Sequence, residues 1–365
     1  MKKLALFLVL LVVTSSLFSQ KSTHPDVKKG ECYSFSGSIG DYPITMILEV
    51  VENEVSGRYY YHKIGTAIEF KGASNDSGYT LETLYGGDTE NEKFILSIFH
   101  NELMGQWQKQ NKSLSVSLSR FTNPISIYEV HKTIKPNNLK NTEDMREAHI
   151  QFRILWPEDA SPESQKIREQ QFSLINSMQF GAEDASAMKF NVPIDPRTIQ
   201  GNPSQLISQL QTICNFISDD FAKEINENTE SGFGNRDLMQ ISSIEFDSER
   251  FKVISNHAYE YNGGAHGMFG TSHITWDKSL NKWAVIDDYF SKKQQKKIPS
   301  IMTTQYKIQH GIPTKDKLSL HGLWIESFTE IGGDVYFTDL GLTTSFGLYE
   351  IAPYSEGIIS VFVPW

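Results

Sequence analysis

Three histidines in the second half of the chain have side chains suited to acid–base or metal chemistry. They are His257, His266 and His273, and two carboxylates follow them at Asp287 and Asp288. Imidazole nitrogens and carboxylate oxygens bind zinc and transfer protons near neutral pH. The spacing matches no standard zinc-binding, phosphate-binding or nucleophile motif. It therefore leaves a metal site and an acid–base pair open without favouring either.

His266 stands in a glycine-rich turn at the end of an alternating strand, in the run HAYEYNGGAHG at 257–267. Glycine adopts positive φ angles and allows close approach of a backbone or a ligand, so the turn is tightly bent. A histidine there can satisfy buried backbone groups through its two ring nitrogens. It can also belong to a binding surface, or act in catalysis or metal ligation. The strand alternation places one set of side chains on a shared face: Phe251, Val253, His257, Tyr259 and Tyr261.

A second unusual turn follows about eighty residues later, in the run YEIAPYSEG at 349–357. Pro353 ends a strand and Gly357 completes the turn after it. Because both turns lie at strand ends of one predicted sheet, we expect the two motifs to meet in space. No catalytic residue, metal ligand or cofactor is assigned. The candidate binding residues are Tyr259, Tyr261, Gly263, Gly264, His266, Tyr349 and Tyr354.

The chain begins with the pattern of a secretory signal peptide. Lys2 and Lys3 precede an apolar run at 4–13, which is followed at once by polar residues. The run is too short to span a bilayer comfortably, so cleavage near residue 19 or 20 is expected. A lipoprotein would need a cysteine directly after the apolar run, whereas the first cysteine is Cys32. The sequence predicts a secreted or periplasmic protein without integral membrane association.

Length and charge restrict the class of protein further. The chain has 365 residues and a formal net charge of −10, which disfavours nucleic-acid binding. Its length predicts two domains. We assign 1–20 to the signal peptide, 21–119 to a β-rich domain, 120–142 to a linker and 143–365 to a second domain.

The two cysteines, Cys32 and Cys214, fall in different predicted domains. An oxidising compartment therefore does not by itself make them a pair. Cys214 lies inside a predicted apolar helix, where a buried small hydrophobic side chain is the simplest interpretation.

Residues 33–119 read as about eight short strands separated by turn residues. Successive hairpins of this kind favour an up-and-down antiparallel barrel or a strongly curved meander. Glycines beside large aromatic residues at 57–61 and 105–107 leave two interpretations open. The barrel is either a ligand-binding cup or is filled by its own aromatic side chains.

The second half has an α+β pattern: an antiparallel sheet with packed helices. A strand is predicted at 148–156 and an amphipathic helix at 205–226, with Asn202 or Ser204 as its cap. Asp287 or Asp288 is expected to cap a lysine-rich segment at 289–309. Further strands are predicted at 241–246, 250–261, 271–276, 282–285, 335–337, 342–346, 349–351 and 358–363.

With its two motifs in this order, the region from 148 to 365 resembles a domain of unknown function. That domain is shared by RsiV-like anti-sigma factors and PdaC-type peptidoglycan deacetylases. In RsiV-like proteins the region implies binding of lysozyme, and in PdaC-like proteins it accompanies a separate deacetylase domain. We expect no cytoplasmic sigma-binding segment, retained membrane helix or deacetylase domain in this chain. The resemblance therefore implies an extracytoplasmic binding module, and signalling and deacetylation are not carried over.

The sequence as a whole favours a non-catalytic protein that binds a cell-envelope or host-derived ligand. An acidic surface would suit a basic protein such as a lysozyme, and a cell-wall glycan is the other ligand class considered. The alternative is a cell-wall-modifying enzyme, a metal-assisted hydrolase or deacetylase accessory that uses His266. A purely structural envelope component is the third hypothesis.

Overall fold

The structure is a computed structural model, and it describes most of the chain after residue 24. The described residues are 25–75, 77–84, 91–134, 147–177, 179–180, 188–189, 202–227 and 235–365. The predicted signal peptide at 1–20 lies outside them.

Eight antiparallel strands at the start of the described chain form a closed barrel. Each strand pairs with the next, and the first closes on the eighth through pairs that run from Phe35↔Arg120 to Ile39↔Val116. This confirms the barrel predicted from the regular strand spacing. The strands are β1 (Asp26–Ile39), β2 (Tyr42–Val51), β3 (Glu54–Tyr61), β4 (Ile68–Asn75), β5 (Gly78–Thr83), β6 (Lys93–Phe99), β7 (Glu102–Lys109) and β8 (Lys112–Arg120).

Aromatic and aliphatic side chains fill the barrel interior. Tyr59, Phe94 and Trp107 belong to one buried cluster with the aliphatic residues of alternate strand positions. Gly57 lets β3 approach β2 closely, because a Cβ there would lie 2.0 Å from the carbonyl oxygen of Ile47. The structure therefore favours the packed barrel over the ligand-binding cup.

β1 belongs to more than the barrel. Its first half, Asp26 to Cys32, pairs with β9 (Ile125–Ile134), which in turn pairs with β10 (Ala148–Trp156). The segment at 120–142, interpreted from sequence as an irregular linker, thus contains a full strand. Proline and asparagine at its flanks hid the apolar alternation of β9, and its residues 135–142 lie outside the described part.

The remaining strands and helices extend this sheet and cover it. They are α1 (Pro162–Ser177), β11 (Gln179–Phe180), β12 (Met188–Lys189), α2 (Ser204–Glu227), β13 (Arg236–Asp247), β14 (Phe251–Tyr261), β15 (Met268–Asp277), β16 (Lys282–Trp283), α3 (Lys292–Gln295), α4 (Ile298–His310), β17 (Asp334–Thr338), β18 (Gly341–Phe346) and β19 (Ile359–Pro364). β10 and β13 are parallel, whereas β13 to β16 are antiparallel. The predicted α+β class is confirmed.

The caps of the helices differ in part from the predictions. The Oδ1 atom of Asn202 accepts a hydrogen bond from the Ser204 backbone nitrogen at 2.9 Å, at the start of α2. Ser291, not Asp287 or Asp288, caps α3 through its side chain. Asp287 instead binds the ammonium group of Lys292 at 2.7 Å. The lysine-rich segment is also divided between α3 and α4.

β17, β18 and β19 form a separate three-stranded antiparallel sheet. One face of this sheet packs with α4 and with the outer surface of the barrel in a single buried cluster. This core includes Cys32, Ile47, Tyr60, Ile254, Met302, Phe337, Leu342 and Val361. A common core therefore joins the barrel to the second half of the chain.

A buried ion cluster reinforces this junction. The Nη1 atom of Arg153 in β10 lies 2.7 Å from Glu49 Oε2 in β2, and its Nε atom lies 2.6 Å from Glu129 Oε1 in β9. Asp247 in β13 accepts a hydrogen bond at 2.7 Å from the Ser34 hydroxyl of β1. Buried charges are tolerated when they are paired in this way.

Cys32 and Cys214 are both buried and both free. Cys32 lies in the hydrophobic cluster beneath the three-stranded sheet. Cys214 lies in α2, in the cluster that this helix forms with β9 and β10. No disulfide joins them in this structure. Among the described residues, no helix combines the length and apolar character needed to cross a membrane.

Candidate functional site

The two sequence motifs meet at one surface of the second half of the chain. The imidazole ring of His266 stacks on the ring of Tyr354, with centroids 3.9 Å apart and planes inclined by 22°. Tyr349 completes the group, with its ring centroid 5.7 Å from that of Tyr354. The predicted contact between the motifs is confirmed. We call the three residues the aromatic cluster.

The glycine loop between β14 and β15 sets the position of His266. Gly263 and Gly264 have φ angles of 87° and 98°, which side-chain-bearing residues rarely adopt. The Tyr261 hydroxyl donates to the Gly264 carbonyl at 2.9 Å and closes the loop on itself. Tyr261 therefore supports the loop and does not join the aromatic cluster through its hydroxyl.

Gly267 brings Tyr259 under the same loop. A Cβ on Gly267 would lie 2.6 Å from the ring of Tyr259, so the tyrosine occupies the space that a side chain would need. Burial raises the pKa of the Tyr259 phenol above its usual value. The Tyr259 ring thus forms a floor beneath the loop.

The second motif is a turn throughout, and the strand predicted at 349–351 is wrong. Tyr349 has a φ of 61°, a left-handed conformation that strand residues do not adopt. The backbone nitrogen of Gly347 donates to Glu350 Oε2 at 2.7 Å and stabilises this turn. Tyr354 follows Pro353 and begins a short 3₁₀ helix, Tyr354–Glu356. The tyrosines project from a bent segment rather than from a sheet.

Both ring nitrogens of His266 have partners. Nδ1 lies 3.1 Å from the carbonyl oxygen of Gly267, which can only accept, so Nδ1 carries the proton in this contact. Nε2 then presents its lone pair to the Tyr349 hydroxyl, 3.3 Å away. The Tyr354 hydroxyl donates to the same Gly267 carbonyl at 2.7 Å. These bonds fix the imidazole in place, and its acceptor nitrogen faces a tyrosine.

The other sequence candidates for chemistry have separate partners. His257 bonds Thr271, with Nδ1 and Oγ1 3.0 Å apart, and burial lowers its pKa. His273 Nδ1 lies 2.6 Å from Asp334 Oδ2. Asp288 bonds the Lys282 ammonium at 2.5 Å. Within the described ranges, no group of three or more His, Cys, Asp and Glu side chains is placed to hold a metal ion.

The surroundings of the aromatic cluster are acidic. Residues 318–365 contain six carboxylates and no lysine or arginine. Glu350 is exposed beside Tyr349, and Glu260 is exposed at the end of β14. Tyr349 itself is 47% exposed. Exposed carboxylates therefore lie within both motifs of the site, at Glu260 and Glu350.

Two further aromatic residues near the site were missed by the sequence analysis. The ring of Phe269 meets Tyr354 edge to face, with centroids 6.0 Å apart. The backbone nitrogen of Trp324 donates to the Ile351 carbonyl at 2.7 Å, and Trp324 is 57% exposed. The absence of lysine and arginine after Lys317 is a sequence signal that could have drawn attention to the region of Trp324.

A known protein family matches the C-terminal part of this region. Residues 284–365 match the family described as "Protein of unknown function (DUF3298)". These residues form a DUF3298 domain. The DUF3298 domain includes α4, the three-stranded sheet and the motif at 349–357, whereas the glycine loop at 261–267 precedes it.

Two crystal structures of DUF3298 family proteins are similar to the chain. The protein from Bacteroides fragilis NCTC 9343 is 14% identical with a TM-score of 0.48, over 66% of this chain and 90% of that one. The protein from Pseudomonas aeruginosa PAO1 is 14% identical with a TM-score of 0.39, over 66% and 91%. At these values neither likeness supports a conclusion about the fold. No curated protein matches the chain. These matches do not confirm the finer resemblance to RsiV-like and PdaC-type proteins.

Proposed function

We propose that this chain is a secreted or periplasmic, non-catalytic binding protein whose aromatic cluster recognises a basic protein of the lysozyme type. The observation that carries the proposal is the ring set of His266, Tyr349 and Tyr354 beside carboxylates, in which exposed His266 stacks on half-buried Tyr354 and Tyr349 is exposed. The leader pattern at 1–20 supports export.

The rings have the properties of a protein-binding surface. Tyrosine is enriched among the residues that contribute most to binding free energy. The hydrogen bonds of Tyr354 to Gly267 and of Tyr349 to His266 order these side chains before a partner arrives. Pre-ordered side chains lose less conformational entropy on binding.

Charge favours a cationic partner. Lysine and arginine side chains bind to the faces of aromatic rings, and nearby carboxylates such as Glu350 would strengthen that contact. A net charge of −10 also accelerates encounter with a basic protein at low ionic strength. Two ligand classes were expected from the sequence, a basic protein and a neutral glycan. The negative charge of the chain favours the basic protein.

The hydrolase alternative lacks comparable support. His266 bonds a backbone carbonyl and a tyrosine hydroxyl, and none of its hydrogen bonds to described residues involves a carboxylate. A general base is normally oriented by such a partner. The resemblance to RsiV-like proteins makes a lysozyme the first probe.

The test is titration calorimetry of the full chain with a C-type lysozyme at low and at physiological salt. We expect saturable binding that weakens as salt rises, and a loss of about tenfold in Tyr349→Ala. Tyr42→Ala is the matched control, because Tyr42 is 59% exposed and lies on the barrel. Absence of heat at low salt, or equal losses in both variants, would overturn the proposal. Capture by soluble peptidoglycan fragments without lysozyme binding would assign the surface to a glycan instead.

A further inference from the structure

A cleft of about 200 Å³ lies between the barrel and the DUF3298 domain, apart from the aromatic cluster. The barrel contributes the loop at 64–67 between β3 and β4. The opposite wall is a face of the three-stranded sheet, and Gln309 of α4 stands at the rim. The loop touches the β17–β18 turn, because a Cβ on Gly65 would lie 2.7 Å from the side chain of Leu340.

The sheet wall of the cleft is rich in hydroxyl groups. Tyr336, Thr343 and Phe362 form one cross-strand row and line the cleft together. Ser360, also in the wall, bonds the Ser345 hydroxyl at 2.9 Å. The other face of the same strands carries the apolar core side chains. Strand alternation therefore directs hydroxyls, with the aromatic ring of Phe362, into the cleft.

Tyr336 is positioned to donate into this space. It lies beside its cross-strand partner Thr343 in the cleft lining, and a phenol hydroxyl can both donate and accept a hydrogen bond. Its ring is held against the imidazole of His273, with centroids 4.4 Å apart. His273 is in turn fixed by Asp334. The donor is thus held in place by neighbours outside the cleft.

The charge of the lining disfavours anionic ligands. Glu245 is the only charged side chain among the described lining residues, and it is paired with Arg58 of β3. It stands at a β-bulge, between the pairs Ile244↔Ile254 and Phe246↔Val253. No lysine or arginine in the described lining faces a ligand anion. A neutral ligand fits this lining, and a phosphate or carboxylate does not.

The size of the cleft suits a small ligand. Its volume is about 200 Å³. Pockets for drug-sized ligands are larger, roughly 300–1,000 Å³. A sugar ring of this size carries hydroxyls at its edge and an apolar face that packs on an aromatic ring such as Phe362.

We propose that the cleft binds a single neutral sugar ring, with hydrogen bonds to Tyr336 and Gln309 and packing on Phe362. This site is independent of the aromatic cluster. The barrel loop at 64–67 also lines the cleft, so a bound ligand lies between that loop and the three-stranded sheet.

The test is saturation-transfer difference NMR on the full chain with N-acetylglucosamine and glucose. Inorganic phosphate is the anionic probe, and its binding is measured by broadening of the ³¹P line. We expect a sugar signal and no phosphate binding. Thr343→Val removes a hydroxyl from the wall of the cleft and should weaken sugar binding about fivefold. Gln309→Ala, at the exposed rim, provides a second variant that does not disturb the core. Thr80→Val, on the exposed outer face of β5, is the control and should bind like the wild type.

Each outcome decides the proposal. Sugar binding that weakens in both cleft variants and survives in Thr80→Val supports it. No sugar signal, equal signals in all variants, or phosphate binding overturns it. Tyr349→Ala should leave the sugar signal unchanged, so failure of the lysozyme proposal and failure of this one are distinguishable.

Discussion

The guanidinium group of Arg153 in β10 binds the carboxylate of Glu49 in barrel strand β2, with Nη1 and Oε2 2.7 Å apart. The same side chain binds Glu129 of β9, so one cation joins strands of the barrel and of the second half. Removal of one member of a buried ion pair leaves an uncompensated charge. Substitutions at this contact should therefore change the free energy of unfolding strongly.

Glu129 should make stability depend on acid pH. Burial acts to raise the pKa of Glu129, but its contacts with His131 and Arg153 outweigh burial and lower the pKa from 4.5 to about 2. Because the folded pKa lies below the unfolded value, the charged carboxylate stabilises the fold above pH 4.5. This contribution, roughly 3 kcal/mol, is lost as the pH falls toward 2. Urea unfolding of Glu129→Gln at pH 7 and pH 3 should show a shallower pH dependence than the wild type. Glu102→Gln, an exposed control, should retain the wild-type slope, and an unchanged slope in Glu129→Gln would contradict the assignment.

Tyr354→Phe should weaken the contact between the two motifs without removing the ring stack. The substitution deletes the hydroxyl that donates to the Gly267 carbonyl at 2.7 Å. We expect the free energy of unfolding to fall by about 0.5–1.5 kcal/mol in urea titrations. Tyr42→Phe, at an exposed tyrosine of the barrel, should leave it unchanged. Equal stability of Tyr354→Phe and the wild type would show that the bond contributes nothing.

Gly267→Ala should displace Tyr259 from beneath the loop. The added methyl group would lie 2.6 Å from the end of the Tyr259 ring, which has to move. Because that ring can rotate, we expect a loss of about 1 kcal/mol in urea unfolding, together with weaker lysozyme binding. Gly270→Ala is the matched control, since no atom lies within 4 Å of its added carbon. Equal unfolding free energies and equal lysozyme binding in the two variants would rule out a role for the close approach of Gly267 and Tyr259.

Both thiols should be inert in the folded protein. Burial raises the pKa of Cys214 to about 12 and that of Cys32 well above its usual value, so neither thiolate is available near neutral pH. A disulfide-exchange reagent such as DTNB should release no chromophore from the native protein and two equivalents in denaturant. Fewer than two equivalents in denaturant would indicate that the cysteines are oxidised.

The sequence predicted the barrel because its hairpins depend on local signals. Regular turn residues divide 33–119 into hairpins, and hairpins pair with their neighbours. The glycine loop before β15 and the proline turn at Pro353 each mark the end of a segment of one domain. Their contact was predicted from a shared sheet. The contact is present, but the glycine loop joins β14 and β15 of the large sheet and the proline turn joins β18 and β19 of the separate three-stranded sheet, so the reason given for it is wrong.

Other features depend on contacts that no local pattern specifies. β9 is a strand because β1 and β10 offer edges on either side, although its flanks carry the composition of a linker. The left-handed turn at Tyr349 depends on Glu350 bonding the Gly347 nitrogen. The cleft combines a barrel loop at 64–67 with strands near the end of the chain, so its lining becomes visible only in three dimensions.

The dual pairing of β1 limits how this protein could be rearranged by gene shuffling. A barrel excised before residue 120 would keep Asp26 to Cys32 but lose the β9 strand that covers their edge. A bare edge of this length recruits strands from other molecules. The barrel is consequently not an independent domain that can be moved to another protein by itself. Recombinant fragments should therefore begin before β1 and continue past β10.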